Sequence, residues 1–161
     1  MEKTYIGYCK SPVGMIEITG SDAGITSIYF IDDHKIDFKN SSPMMDDAVR
    51  QLKEYFEGTR KEFDMKLDLQ GTEFQLQVWQ ELMKIPYGKT ISYLQLAKRI
   101  GNPKSIRAAA TANGKNPISI VVPCHRVIGA DGKLVGYSGG LSRKEFLLKL
   151  ENKLFGKDLF S

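Results

Sequence analysis

The sequence has few residues of the types that crosslink chains or bind metals. Its 161 residues include two cysteines, Cys9 and Cys124, and two histidines, His34 and His125. These four residues lack the close-spaced ligand pairs of a zinc site, and two cysteines are too few for a disulfide framework. In a reducing compartment we also expect no structural disulfide between them. We therefore predict no metal and no cofactor.

The chain also lacks a long apolar run. No segment approaches the roughly 20 consecutive apolar residues that a membrane span needs. The N-terminus shows no basic region followed by an apolar core, so we expect no signal peptide, no membrane contact and a cytoplasmic location. Internal repeats and low-complexity segments are absent too. With 42% hydrophobic and 26% charged residues, the composition is that of a globular protein of one domain or two small ones.

Strand-like alternation dominates the first part of the chain. Residues 4–8, 14–19 and 25–30 alternate between turn signals and predict an antiparallel meander. From Met44 the period becomes helical and continues to Gly58. Residues 63–69 alternate again and predict one more strand. We therefore expect residues 1–70 to form a small α/β scaffold.

Helix-start signals dominate from Gly71 onward. Capping boxes at residues 72–75, 92–95 and 142–145 each predict a helix N-terminus, and Asn102-Pro103 predicts another. Two of these helices are short and are joined by a glycine-containing turn, which is typical of a helix-turn-helix. The formal net charge of +4 favours DNA as the partner of this helix pair. Ordinary packing in a core explains the same pattern.

The stretch around Cys124 carries the strongest sign of chemistry. Residues 118–122 are mostly β-branched and predict a short buried strand, which Pro123 ends. His125 follows the cysteine directly, and Glu151 lies on the final predicted helix, where a carboxylate could orient an imidazole. A histidine with a carboxylate behind it is a common way to generate a reactive thiolate. A cysteine at the end of a strand can equally be a small buried hydrophobe.

The segment from Pro123 to Gly129, PCHRVIG, resembles the signature of the O6-alkylguanine-DNA alkyltransferases. The similarity extends from about residue 72 to 152, with further matching segments in the order and spacing of that family. These are residues 74–79, 85–88, 92–93, 101–103, 107–108, 116–117, 136–141 and 144–151.

The resemblance implies a fold and a reaction. The fold is α+β, with a small N-terminal α/β, ribonuclease-H-like domain over residues 1–70. A mainly α-helical, winged-helix-like domain follows over residues 71–161 and contains the helix-turn-helix. The reaction is the irreversible transfer of a methyl or other alkyl group from O6-alkylguanine to a cysteine after base flipping, with O4-alkylthymine left open as a second substrate. The expected partner is double-stranded DNA carrying this lesion, bound through its minor groove by a monomer.

By matching position, the resemblance assigns a catalytic set. Cys124 would accept the alkyl group, and His125 would deprotonate it through a water. Glu151 would orient His125, and Asn116 would support the turn before the cysteine. Tyr93 would donate a hydrogen bond to the guanine as negative charge develops on it.

A second set would bind the base and the DNA. The backbone at Val121 and Val122, together with Ser138, would read the edge of the flipped base. Arg107 would fill the gap that the base leaves in the stack. Two further residues, Ala108 and Thr111, would lie beside Arg107 on the recognition helix.

The sequence departs from the family at two places. Ala109-Ala110 stand where the family commonly has Val-Gly after the arginine and alanine of the recognition helix. A Cβ at position 110 would change how closely that helix approaches DNA. Some relatives bind zinc in the N-terminal domain, but Cys9 and His34 alone cannot build such a site.

Two other functions fit parts of the pattern. One is a non-catalytic alkylated-base binding protein that signals to other repair pathways, which the presence of Cys124 disfavours. The other is a cysteine hydrolase using Cys124, His125 and Glu151, which would leave the helix-turn-helix without a role.

Overall fold

The computed structural model describes residues 3–32 and 36–155. These residues form two compact units. One holds the chain up to Gln70 together with Pro117–Ser119, and the other holds Gly71–Asn116 and the chain from Ile120 onward. None of the described helices is long and apolar enough to cross a lipid bilayer.

The first unit is built on the predicted antiparallel meander, which is confirmed. Strands β1 (Tyr5–Ser11), β2 (Gly14–Ser21) and β3 (Gly24–Ile31) pair in the order β1-β2-β3. The predicted helix is also present as α1 (Asp46–Phe56). The apolar sides of the sheet and of α1 supply the buried residues of this unit, among them Cys9, Ile16, Ile18, Ile28, Leu52 and Tyr55.

The prediction of a strand over residues 63–69 is wrong. Its backbone makes a single parallel bridge, Leu67 to Ile25, through Ile25 N–H to the Lys66 carbonyl at 2.8 Å and Asp68 N–H to the Ile25 carbonyl at 2.7 Å. Earlier in the segment, the buried Gln51 side chain hydrogen-bonds both backbone groups of Asp64. Its Nε2 donates to the Asp64 carbonyl at 2.7 Å, and its Oε1 accepts the Asp64 N–H at 2.8 Å. A side chain of α1 thus occupies the positions that a neighbouring strand would fill.

The second unit is mainly helical. Its elements are α2 (Glu73–Leu82), β4 (Ile91–Ser92), α3 (Tyr93–Arg99), α4 (Ile106–Gly114), β5 (Val127–Ile128) and α5 (Leu141–Glu151). Strands β4 and β5 pair in parallel. The predicted helix-turn-helix is α3 and α4, whose linker contains Gly101 at φ +94°, a left-handed conformation that favours glycine, and a 3-10 turn, Pro103–Ser105. With a sheet unit and a helical unit, the fold class is α+β, as predicted.

The helix-start predictions have different outcomes. The capping boxes of α2 and α3 are both complete. The side chains of Thr72 and Ser92 each accept the backbone N–H of the glutamine three positions on, and their own backbone N–H donates to the Oε1 of that glutamine. The third capping box is wrong, because α5 begins at Leu141 with Gly140 as its N-cap.

Candidate active site

The chain before Cys124 forms a buried turn instead of the predicted strand. Ile118, which belongs to the first unit, makes an isolated bridge with Ile28 of the same unit, and Ile120 adopts φ +73°, which a strand does not allow. The Val122 carbonyl accepts two hydrogen bonds, from Asn116 Nδ2 at 2.7 Å and from the Cys124 N–H at 2.8 Å. Asn116 therefore holds the turn that presents the cysteine.

Cys124 begins a single 3-10 turn, Cys124–Arg126, and all three of its residues are buried. His125 Nε2 lies 2.7 Å from Glu151 Oε2 at the end of α5. Arg126 donates to the same carboxylate twice, from Nε to Oε1 at 2.7 Å and from Nη2 to Oε2 at 3.0 Å, and it donates from Nη1 to the Ile85 carbonyl at 2.7 Å. Glu151 thus joins the turn to α5 through two side chains.

These contacts set the charges of the group. Burial alone would raise the pKa of Glu151, but His125 and Arg126 together hold it well below its ordinary value, so the carboxylate is ionised. Burial lowers the pKa of His125, while Glu151 acts against that effect. A neutral imidazole facing a carboxylate donates from Nε2, which leaves the lone pair on Nδ1. Nδ1 has no partner among the described residues, so it is placed to accept a proton.

The Cys124 thiol needs such a base. The side chain is 3% exposed, and burial raises the pKa of the thiol above its ordinary value. A hydrogen bond from Asn116 and the positive charge of Lys144 both lower it. The site therefore contains a buried thiol, two groups that favour its thiolate, and a neutral histidine in the next position.

Tyr93, the first residue of α3, belongs to the same cluster. Its hydroxyl donates to the Val135 carbonyl at 2.8 Å. Burial and the charge of Cys124 raise the pKa of Tyr93, and the nearby amide of Asn113 lowers it. Tyr93 is therefore close enough to Cys124 to respond to its ionisation.

Lys144 of α5 is a fully buried cation beside Tyr93. Its Nζ donates to three backbone carbonyls, those of Val127 at 2.6 Å, Val135 at 2.9 Å and Gly136 at 3.3 Å. It lies 5.8 Å from the centre of the Tyr93 ring. Burial lowers the pKa of Lys144 to about 8, against the opposing influence of Cys124. The Val135 carbonyl is thus shared by Lys144 and Tyr93.

The predicted DNA-binding residues of α4 lie on its exposed face. Arg107, Ala108 and Thr111 line a groove of about 340 Å³ between α2 and α4, together with residues of the α2 N-terminus such as Phe74. Ala109 is fully buried and Ala110 is half-buried, so neither departure from the family pattern stands on the most exposed part of the helix.

The residues predicted to read the base lie in two different settings. Val121 and Val122 are buried in the turn before Cys124. Ser138 is exposed, in the segment between β5 and α5. The structure therefore brings Cys124, His125, Glu151, Asn116 and Tyr93 into one cluster. Ser138 is exposed at the surface.

Three members of the cluster were not predicted: Arg126, Lys144 and Asn113. A signal for Lys144 was present, because residues 144, 147, 148 and 151 have the i, i+3, i+4, i+7 spacing of one helical face, and all four are buried. A search for apolar residues at this spacing misses the face, because Lys144 and Glu151 at its two ends are charged.

No group of three His, Cys, Asp or Glu side chains suited to a metal occurs within residues 3–32 and 36–155. His34 lies outside the described residues.

Two family models together match most of the chain. The DNA binding domain of 6-O-methylguanine DNA methyltransferase matches residues 73–153, and the ribonuclease-like domain of the same protein matches residues 4–69. The methylated-DNA–protein-cysteine methyltransferase of Methanosarcina acetivorans is 50% identical over 152 residues, which cover 91% of this chain and 97% of the relative.

Solved structures agree. The crystal structure of the Mycobacterium tuberculosis O6-methylguanine methyltransferase has a TM-score of 0.84 at 42% identity, and the match covers 99% of this chain and 100% of that one. The Mycobacterium tuberculosis OGT in complex with DNA has a TM-score of 0.84 at 44% identity, with 96% and 97% of the two chains covered. The chain therefore belongs to the 6-O-methylguanine DNA methyltransferase family.

Proposed function

We propose that this protein repairs DNA by direct reversal, moving the alkyl group of O6-alkylguanine to Cys124. The observation that carries the proposal is the buried Cys124 turn, in which His125 is held by Glu151 at 2.7 Å. Among the relatives named above, that of Methanosarcina acetivorans is a methylated-DNA–protein-cysteine methyltransferase, one solved structure is an O6-methylguanine methyltransferase, and the OGT structure contains DNA. In the transfer, a sulfur–carbon bond forms as the bond between carbon and O6 breaks, and guanine leaves with the electron pair.

His125 acts as the general base for the thiol. Its Nδ1 carries the lone pair because Nε2 faces the ionised Glu151, so a bridging water can pass the Cys124 proton to Nδ1. Asn116 fixes the turn through the Val122 carbonyl and lowers the pKa of the thiol. These groups together supply the thiolate at neutral pH.

The base enters from double-stranded DNA bound through its minor groove. Flipping costs a few kcal/mol, less for a poorly paired damaged base. Arg107, exposed on α4 with Ala108 and Thr111, fills the gap that the base leaves. A cationic side chain inserted in the stack offsets part of the flipping cost.

Within the pocket, the backbone at Val121 and Val122, together with Ser138, reads the edge of the base. Tyr93 donates a hydrogen bond to the guanine as it leaves. Because the thioether product has no easy leaving group, one protein repairs one lesion.

Residues 1–70 serve as the scaffold domain and residues 71–161 as the alkyltransferase domain. The protein acts as a cytoplasmic monomer.

Mass spectrometry of the alkylated protein tests the proposal. After incubation with a duplex carrying O6-methylguanine, the peptide with Cys124 should gain one methyl group, and the number of repaired lesions should not exceed the number of protein molecules. Cys9 is an internal control, because burial raises the pKa of that thiol to about 11 and it should stay unmodified. Cys124→Ala should bind the duplex and transfer nothing.

Two results would contradict the proposal. An unmodified Cys124 peptide with intact binding would indicate a non-catalytic binding protein. Repair of many lesions by one protein would indicate an enzyme that turns over, such as a hydrolase.

A further inference from the structure

Arg126 is a buried cation to which the proposed mechanism gives no task. It is the last residue of the 3-10 turn that Cys124 begins, and it is buried. Its guanidinium makes three hydrogen bonds within 3.0 Å, two to the Glu151 carboxylate and one to the Ile85 carbonyl. A buried charge is costly unless it is paired, so the partners of Arg126 indicate its role.

The guanidinium fixes the orientation of the Glu151 carboxylate. Arg126 donates to both oxygens, from Nε to Oε1 and from Nη2 to Oε2, and such a planar fork determines the plane of a carboxylate. The backbone N–H of Gly88 donates to Oε1 as well, at 3.3 Å. Oε2 is therefore held in the position at which His125 Nε2 meets it, at 2.7 Å.

The turn at residues 85–88 in its place holds the guanidinium. The Ile85 carbonyl accepts from Arg126 Nη1 at 2.7 Å, and the guanidinium carbon lies 5.8 Å from the centre of the Tyr87 ring. Gly88 has φ +79°, and a Cβ there would lie 3.2 Å from the Glu151 backbone oxygen. The left-handed backbone and the close approach both favour glycine at this position. Arg126 is thus fixed on two sides, by the turn and by α5.

Arg126 also decides the charge of the buried group. The charges of Arg126 and the ionised Glu151 cancel, so a neutral His125 leaves the group neutral and a protonated one would make it positive. Without Arg126 the group would be negative, and protonation of His125 would neutralise it. Among the described residues, the charged side chains that act on the imidazole are Glu151 and Lys144 of α5 and Arg126 of its own turn. Burial lowers the pKa of His125, Glu151 raises it, and both cations lower it.

On the basis of the proposed alkyl transfer, we infer that Arg126 is a positioning residue that holds Glu151 against His125 Nε2 and so keeps Nδ1 open for the proton of Cys124. An imidazole that is already protonated has no lone pair for that proton. Arg126 does not touch the reacting atoms, and the bonds that form and break are those of the transfer described above.

Two substitutions separate the charge of Arg126 from its shape. Arg126→Gln removes the charge and keeps an amide that can donate a hydrogen bond. Arg126→Lys keeps the charge but replaces the planar fork with a single ammonium group. Arg60→Gln is the matched control, because Arg60 makes the same kinds of contact in the first unit, from Nε to Glu54 Oε1 at 2.9 Å and from Nη1 to the Glu62 carbonyl at 3.0 Å.

Two measurements are made on each full-length protein. The first is the single-turnover rate constant for methylation of Cys124 by a duplex carrying O6-methylguanine, followed from about pH 5 to pH 9. The second is the titration of the His125 imidazole by NMR, which needs no DNA. Because the chain has two histidines, a His34→Gln variant assigns the signals.

The expected result depends on the charge at position 126. In the wild type, His125 should titrate below its ordinary value of 6.5. In Arg126→Gln it should titrate at higher pH than in the wild type, and the rate constant should fall roughly tenfold more than that of the wild type between about pH 8 and pH 6, because one nearby charge shifts a titration by about one to three units. For Arg126→Lys the ratio of the two rates should stay within about twofold of the wild-type ratio, because the charge remains. Arg60→Gln should change neither measurement.

A purely structural role would give a different result. If Arg126→Gln lowered the rate by the same factor at every pH and left the titration of His125 unmoved, the inference would be overturned. Protonation of His125 at neutral pH in the wild type would overturn it as well, whether or not the variants fold. If Arg126→Gln does not fold, Arg126→Met is measured under the same criteria.

The two levels of the argument remain separable. Absence of methylation in the wild type refutes the proposed function. Methylation in the wild type, with a His125 titration that does not respond to the charge at position 126, refutes the role of Arg126 alone.

Discussion

Glu151→Gln is the substitution that examines the core of the site most directly. Glu151 is buried at the end of α5 and accepts three hydrogen bonds from His125 and Arg126, all within 3.0 Å. Glutamine keeps the shape of the side chain but removes the negative charge and one of the two acceptor oxygens. Arg126, a residue that is 6% exposed, then loses the carboxylate with which it is paired.

Two losses follow, one of stability and one of rate. Removing one partner of a buried ion pair costs about 3–5 kcal/mol, because the remaining charge stays buried and unpaired. The chemistry should slow by roughly 10²- to 10⁴-fold, the usual contribution of a positioned general base. The rate falls because an amide neither fixes the tautomer of His125 nor stabilises its protonated form as a carboxylate does.

Glu145→Gln is a matched control on the same helix. Glu145 pairs with Lys149 at 2.7 Å with both side chains about half exposed, and such a pair contributes about 0.3–0.5 kcal/mol. Urea unfolding gives the free energy of unfolding of each variant, and single-turnover methylation of Cys124 gives the rate. If the two variants lost similar free energy, or if Glu151→Gln kept the wild-type rate, the assignment of Glu151 would be wrong.

Two further substitutions extend these expectations. Between pH 8 and 10.5 the unfolded chain holds a proton on Lys144 that the folded protein has released, because the folded pKa is about 8 against an ordinary value of 10.5. The free energy of unfolding should therefore gain roughly 3 kcal/mol from Lys144 as pH rises through that window, and Lys144→Met should lack this gain in urea titrations at both pH values. An identical pH dependence in the two proteins would count against it. Arg107→Ala should slow repair of a duplex by roughly tenfold or more while changing the reaction with a free alkylated base less than about twofold, since only the duplex needs a base to be flipped. Equal losses on the two substrates would contradict that role.

Local patterns in the sequence predicted much of the fold. The meander follows from alternation, and the starts of α2 and α3 follow from capping boxes whose partners lie three residues apart. Each of these features depends on contacts that are close in sequence or on one repeating pattern. For the same reason the α+β class could be predicted from the sequence.

Features that depend on distant partners were not predictable. Alternation over residues 63–69 resembles a strand, but Gln51 occupies the backbone of Asp64. The β-branched run before Cys124 also resembles a strand. Ile120 nevertheless adopts a left-handed backbone conformation, which costs about 1–3 kcal/mol and has no signal in the sequence.

The site was predictable to a similar extent. The pattern of Cys124, His125 and Glu151 indicated reactive chemistry, and the resemblance added Asn116 and Tyr93. Arg126 and Lys144 were missed because a charged residue is ordinarily assigned to the surface. Only the positions of acceptors on other elements make their burial tolerable, and those positions follow from the tertiary structure.

The Val135 carbonyl accepts hydrogen bonds from both Tyr93 and Lys144, so it keeps one donor when the other leaves. Tyr93 has one hydroxyl proton, so it cannot donate to Val135 and to a guanine at the same time. Once a bound base excludes water, an acceptor left without a donor would cost about 1–3 kcal/mol. Lys144 Nζ, 2.9 Å away, keeps the Val135 carbonyl paired throughout. In the proposed transfer, Tyr93 could therefore move its hydrogen bond from Val135 to the guanine without leaving the Val135 carbonyl unpaired.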